Sequence, residues 1–390
     1  MNKHTNRFGI YAHILVALFF VAVISANAVG QDHAAPAETM QQLDNGTTKA
    51  DAEAHAVSND THAEAPHEEA KFDAGKMIVE HISDAHDWHI AGHFSIPLPV
   101  LIYSPTKGFH SFLSSKFNHG HDAYNGFRLE HNEIVAEDGS KLYDLSITKN
   151  VFAMLISVVL LILIFTSVAK AYSKRTGMAP KGLQSLIEPL IVFVRDDIAK
   201  ASIGPHYQKY MPYLLTAFFF IWINNLLGLI PIFPFGANVT GSIAVAMVLA
   251  VITLVIVTVK AKPGYWMHIV AMPGVPKWVL FLLTPIEILG FFLRPFVLMI
   301  RLFANITAGH IIALAFFSLI FIFGEMNTGA GIGAAIFSTA FVVFMTVLEL
   351  LVAFLQAFVF TLLSAIYIGA AIEDHHHDSH AHETKAEMAH

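Results

Sequence analysis

The 390-residue chain contains no cysteine. That removes disulfides, thiolate metal sites and a thiol nucleophile from consideration. It is also poor in charge: Asp, Glu, Lys and Arg fill 14% of positions against 55% hydrophobic residues, and the mean hydropathy is +0.56. Soluble globular domains carry roughly 25% charged residues. With several apolar stretches near or above the ~20 residues needed to cross a bilayer, the composition is that of an integral membrane protein. The motif absences narrow the chemistry further. There is no HExxH pair and no G-x-S-x-G ahead of a helix, so an intramembrane hydrolase has no candidate machinery. Paired internal repeats with broken helices are also missing, which counts against the alternative reading of a proton-coupled secondary transporter.

Residues 1–28 read as a secretory signal, with Lys3 and Arg7 in a basic start, an apolar core at 14–24 and Ala26-Asn27-Ala28 as a small-residue cleavage site. Residues 29–87 form an Ala-, Glu- and His-rich extension, nearly free of large apolar side chains up to residue 75 and therefore expected to be disordered. Residues 88–146 change character. FSIPLPVLIYS and EIVAEDGSKLYDL contain short apolar runs, the second split by Asp138-Gly139, a hairpin turn signal, so a small, partly β extramembrane unit is expected. Residues 147–372 are the membrane part, and 373–390 a His-rich tail.

Five spans are predicted: 147–169, 210–233, 239–259, 280–323 and 331–372. The last two exceed the length of an upright crossing, so each is either one tilted helix or two helices broken at Pro285 or Pro295. Between the first two spans lie Lys170, Lys174, Arg175, Lys181, Arg195, Lys200 and Lys209, and after the third come Lys260, Lys262 and Lys277, whereas 234–238 and 324–330 hold no Lys or Arg. The positive-inside rule then puts the N-terminus outside and the C-terminus in the cytoplasm. Residues 182–202 mix apolar and charged positions and read as an amphipathic helix on the cytoplasmic surface. The histidines, 12 between 31 and 131 and six in 375–390, are irregularly spaced, and solvated tails explain them better than a metal centre.

Few ionisable groups lie at depth, and Arg301 stands out. A charge there costs at least ~2.5–3.5 kcal/mol on insertion scales, so it needs a partner or a task. Glu287, Arg294 and Arg301 are spaced by seven and form one stripe. Arg294 and Glu287 have a simple alternative, pairing with each other or reaching the cytoplasmic edge. Asn305 shares the stripe's general face, whereas His310 points to the opposite side and ~13.5 Å further out. In the last span Glu349 and Gln356 share a face. With the two spans antiparallel, His310 can meet Glu349 while Gln356 lies near the level of Arg301. His310 and Glu349 can titrate and pass protons inward. Arg301 stays charged; it can only repel a proton or expel one from an acid brought beside it.

The run RLFANITAGH at 301–310, the approach PIEILGFFLRPFVLMI, the closing LELLVAFLQAFVFTLLSAIYI and the weaker NNLLGLIPIFPFGANVTGSI at 224–243 resemble subunit a of F-type ATP synthases across roughly 145–372. The resemblance implies an all-α polytopic stator with a long C-terminal helical hairpin against a ring of c subunits. It also implies peripheral-stalk b subunits as partners within the rest of the synthase, a bacterial inner-membrane location, and no cofactor or metal. In such a protein two aqueous half-channels carry protons to and from the ring, and no chemistry is catalysed by the subunit alone. The family's essential arginine falls on Arg301, its polar companions on Asn305 and Gln356, and its inner acid on Glu287. His310 and Glu349 occupy positions at which better-known members have Glu and His, an exchange that keeps an acid–base pair. Near Asn238, a candidate on the inlet path, the family often carries an acid two residues earlier, where this chain has Gly236.

Overall fold

Six residues before the first membrane helix, a strand already runs toward it. The computed structural model describes residues 73–373 except 92–93, 131, 176, 231–235, 271 and 273–274. The expected signal segment, the extension up to residue 72 and the tail from 374 lie outside the described residues. Structure begins earlier than the expected boundary at 88. Ala74–Ile82 (α1) is helical, because AGKMIVEHI spaces Met77, Ile78 and Ile82 at helical intervals. The strands Asp87–Ala91 (β1) and Phe94–Pro97 (β2) then pair as an antiparallel hairpin.

Pro99–Ser104 (β3) alternates, burying Val100, Ile102 and Ser104. It is the centre of a three-stranded antiparallel sheet, between Gly108–Leu113 (β4) and Tyr143–Asp144 (β7). Phe127–Glu130 (β5) and Glu133–Ala136 (β6) make a separate hairpin, and with Phe117 of the 3-10 turn Ser114–Gly120 they close a small core around Val100 and Ile102. The hairpin expected at Asp138-Gly139 is corrected here. The turn exists, with Gly139 at φ 65° and the Asp138 carboxylate accepting from Ser140 N at 3.1 Å and ion-paired with Lys107. The strands on either side, however, belong to different sheets: β6 pairs back with β5 and β7 with β3. Local turn chemistry sets a reversal, not the partner of the strand that follows.

This module is bolted to the first membrane helix, Lys149–Lys174 (α2). Asp84 Oδ1 accepts from Asn150 N at 3.0 Å, Lys149 N donates to Ala85 O and Lys149 Nζ to Ser83 O, so exposed donors at the helix start are satisfied by the preceding segment. Trp88 meets Phe152 edge to face. Buried His86 and Asp144, 2.8 Å apart, tie the first strand's approach to β7.

Among the described residues, five helices are long and apolar enough to cross a membrane: α2, Met211–Gly228 (α4), Ile243–Lys260 (α5), Lys277–Met326 (α7) and Thr328–Ile372 (α8). The expected span 210–233 ends as a helix at Gly228, and 239–259 begins only at Ile243 because Asn238 Oδ1 takes Gly241 N in a turn. α7 runs unbroken through Pro285 and Pro295 for 50 residues, ~75 Å, more than twice a ~30 Å hydrocarbon core. Asn327 alone separates it from α8, its side chain capping Gly329 N at 2.8 Å. α1 packs against α7, so the module touches this hairpin.

Residues 182–202 are helical as read: Leu183–Phe193 (α3) continues into the π-helical Val194–Lys200 and the turn Ala201–Ile203. Phe193 packs on Phe354 and Phe358 of α8, and Val194, Ile198 and Ala199 are buried. A further helix, Pro263–Val270 (α6), occupies a segment read only as a loop. α4 is the buried centre, with Leu214, Phe218, Phe219 and Ile221 inaccessible. Tyr213 of α4, Thr253 of α5 and Ser364 of α8 join their hydroxyls across the bundle at 2.5 and 3.3 Å.

Two predictions follow from these contacts. A Cβ on Gly369 would lie 2.0 Å from the Ser202 carbonyl oxygen, whereas one on Gly333 meets nothing within 4 Å. Gly369→Ala should therefore destabilise by ~1–3 kcal/mol through overpacking against backbone, and Gly333→Ala should not, read as melting midpoints of the solubilised protein. The second concerns His86 and Asp144. Burial opposes the His86 charge, but the Asp144 hydrogen bond and charge, with Asp84 adding, lift its pKa above the ordinary value; burial likewise raises Asp144, and His86 and Ser146 pull it below. The His86 contribution is whole below ~6.5 and fades as pH rises through the raised value, while that of Asp144 is whole above ~3.9 and fades as pH falls through the lowered one. The module should be most stable between those limits, measured as amide protection corrected for intrinsic exchange, and His86→Asn should flatten the alkaline limb.

Candidate functional site

The sequence-marked residues all fall on α7, α8 or the loop before α5, at three depths along the hairpin. At the middle level, Arg301 is exposed on α7. Among the described residues its guanidinium makes no hydrogen bond, ion pair or cation–π contact; only its backbone is held, the carbonyl accepting from Gln356 Nε2 at 2.6 Å. Gln356 is buried, so the α7–α8 contact is fixed here while the charged group stays outside it. Asn305, one turn further out, and Ala308 and Ile312 beyond it are exposed too, continuing the stripe.

Nearer the α7–α8 turn the chain brings Glu349 of α8 against Gly309, next to His310. A Cβ at Gly309 would lie 2.6 Å from Glu349 Oε1, an atom that is buried and without a hydrogen-bond partner among the described residues. The His310 ring turns toward α4, with Nε2 4.0 Å from where a Cβ on Gly228 would stand. Thr307 Oγ1 donates to Gly241 O at 3.2 Å and ties the Asn238 loop to α7. Asn238 is itself buried, folded onto Gly241 N. Asn225 of α4 continues the polar seam, donating to Ala353 O at 3.1 Å and accepting from the Thr240 hydroxyl. The turn-side half of the hairpin is thus lined by groups from four elements, most of them bound to one another and one carboxylate oxygen without a partner among the described residues.

At the level farthest from the turn, Glu287 and Arg294 do not resolve as a mutual pair among the described ion pairs. Arg294 Nη1 donates to the Tyr265 hydroxyl of α6 at 3.1 Å, and its Cζ stands 5.7 Å from the centre of the Tyr367 ring of α8. Burial pushes the Tyr265 phenol up, with Arg294 opposing and Glu287 adding to the rise, so Tyr265 lies within the field of both charges. Glu287 is half-buried.

Sequence reasoning missed Tyr265, Tyr367, Asn225 and Gly309. Tyr367 carried a usable signal, being eleven residues, about three turns, beyond Gln356 and so on its face. Tyr265 carried none, because the helix that presents it is short and lies between proline-rich turns.

Comparison with known proteins adds an independent line. The sequence model of the ATP synthase A chain family matches residues 151–369, and a domain of unknown function matches 77–152, the module with its junction to α2. A protein of Chlorobaculum tepidum named ATP synthase subunit a 2 is 45% identical over 255 residues, 64% of this chain and 69% of its own. One of Chlorobium luteolum with the same name is 36% identical over 385 residues, 97% of this chain and 95% of its own. In Myxococcus xanthus, ATP synthase subunit a is 39% identical over 262 residues, 65% of this chain and 82% of its own. With Arg301, Gln356 and the residues around them inside the matched region, the chain belongs to the ATP synthase A chain family.

Proposed function

We infer that this chain is the proton-translocating stator subunit of an F-type rotary ATP synthase. The observation that carries the inference, beside family membership, is Arg301: a permanent charge on a membrane-crossing hairpin, exposed and unpaired among the described residues of its own chain. Its counter-charge must come from elsewhere. A carboxylate on a ring of c subunits running past the exposed stripe of α7 supplies it.

The physics balances. A guanidinium ~4 Å from a carboxylate at an effective dielectric near 20 contributes ~4 kcal/mol, equivalent to ~3 pKa units. Burial against lipid raises an acid by up to 3–5 units. Arg301 therefore suffices to strip the proton from a lipid-facing acid that would otherwise stay neutral. The acid's proton leaves toward the inner side, past Glu287; the carboxylate passes Arg301; a new proton then arrives from the outer side by way of Asn238, His310 and Glu349. Asn305 and Gln356 flank the crossing point. Since Arg301 does not deprotonate, no proton crosses from one half-channel to the other without riding the ring. ATP chemistry takes place on other subunits.

The remaining assignments follow from charge placement. Lys and Arg cluster on one side of the bundle, so the module of residues 73–146 faces the outside and residue 373 the cytoplasm, as expected in a bacterial inner membrane. α3 lies along the cytoplasmic surface, where b subunits of the peripheral stalk have room to dock. α7 and α8 accommodate their length by tilting against the ring.

ATP-driven acidification of inverted vesicles tests this reading. Arg301→Ala should abolish it with the assembled complex still present, and normal pumping in that variant would refute the assignment. Gly309→Ala, whose Cβ displaces the Glu349 carboxylate, should slow pumping several-fold without loss of assembly.

A further inference from the structure

Two arginines share one stripe of α7. Arg294 and Arg301 are seven residues apart, ~10.5 Å along the axis, and both are charged at every physiological pH. Stator function needs one cation at the crossing point. A second, equally presented guanidinium two turns further in would attract the same passing carboxylates after they have given up their protons, and would hold them where they should move on.

The surroundings of the two differ. Arg301 is exposed, with nothing on its guanidinium among the described residues. Arg294 is half-buried, bound to Tyr265 Oη at 3.1 Å and placed over the Tyr367 ring at 5.7 Å. Tyr265 is 6% exposed, so its hydroxyl is an interior anchor rather than a surface one. The two tyrosines come from different helices, α6 and α8, which both pack on α7. A hydrogen bond fixes the direction of a guanidinium and an aromatic face satisfies its charge without neutralising it. Glu287, the other charge facing this corner, lies one heptad away on α7 and is not paired with Arg294 among the described ion pairs.

We propose that Tyr265 and Tyr367 are positioning residues that park Arg294 against the α6–α8 corner, withdrawing the second cation from the path of the ring carboxylates so that Arg301 alone engages them. The proposal rests on the stator reading above. It explains why an arginine is tolerated on the stripe at all: the clamp lets it bridge three helices at no cost to carboxylate passage.

The test is rescue, measured as ATP-driven proton pumping per assembled complex in inverted vesicles. Tyr265→Phe removes the hydroxyl and should reduce pumping; Tyr265→Phe with Tyr367→Leu removes both holds and should reduce it several-fold. Adding Arg294→Gln to either background removes the freed cation and should restore pumping to near the wild-type level, and Arg294→Gln alone should pump almost normally. A purely structural tyrosine pair would not be rescued by deleting its partner. If the tyrosine variants pump normally, if Arg294→Gln fails to restore them, or if Arg294→Gln alone is as poor as they are, the proposal is wrong. Failure of the stator reading looks different: Arg301→Ala would then pump normally, whatever the Arg294 series does.

Discussion

An arginine on a long apolar helix, without a counter-charge among the described residues of its own chain, is the constraint around which this molecule is organised. Arg301 costs a few kcal/mol where it stands, and no carboxylate among the described residues offsets it. The protein accepts the cost by immobilising everything beneath the charge. α7 and α8 are joined through one residue, approach so closely that a Cβ on Gly331 would strike Gly324 Cα at 2.8 Å, and are pinned at mid-length by the Gln356 contact. α4 then fills the space behind the hairpin, and α5 and α6 brace its inner half. Such stiffness matters because Coulomb energy in a low-dielectric site changes steeply with distance; a hairpin that flexed by an ångström or two would blur the pKa difference that the proposed mechanism requires.

The extramembrane module follows the same logic at the other end. The start of a long apolar helix leaves backbone donors that water alone would otherwise have to satisfy. Here Asp84, Ala85 and Ser83 satisfy or occupy them, and the buried His86–Asp144 pair holds that segment to the strand leading into α2. Breaking one partner of such a pair leaves an uncompensated buried charge. The module is accordingly part of the membrane domain's entrance rather than a tethered appendage, and its helix α1 touches α7, the element that carries Arg301.

Much of this was legible in the residues because membranes make sequence informative. The five candidate spans among the described residues coincide with the apolar runs, since hydrocarbon demands such runs, and the stripe of Glu287, Arg294 and Arg301 follows from a seven-residue spacing. The level of Gln356 followed from antiparallel register, and the structure places its side chain on the Arg301 carbonyl. What was hidden depended on contacts between distant segments. Nothing local announces that β6 pairs back to β5 instead of across Asp138-Gly139, because strand partners are chosen by a shared core around Val100, Phe117 and Phe127. Equally, Arg294 could have reached Glu287 on its own helix; only the packing of α6 beside α7 supplies Tyr265 as a better-placed acceptor. The sequence leaves open whether helix continues through Pro285 and Pro295, because a proline inside a membrane helix is tolerated when neighbouring groups re-satisfy the backbone, and α7 is continuous through both.

Gln356 illustrates how identity of contact, rather than proximity, decides what a charged residue can do. Its amide is aimed at the Arg301 carbonyl oxygen, not at the guanidinium. A side chain that hydrogen-bonded the guanidinium would lower its energy, and under the proposed function it would also have to be displaced each time a carboxylate arrived, adding a barrier to every passage. Holding the backbone avoids that. The Cα of Arg301 is fixed relative to α8, while its exposed side chain keeps its rotamer freedom, which is what the proposed encounter with a passing carboxylate requires. Arg294 shows the opposite choice on the same stripe, a guanidinium engaged by a phenol and a ring on two other helices. Two residues of one type, seven apart, are thus distinguished entirely by what the neighbouring helices present to them, and the exposed one is the one left able to exchange partners.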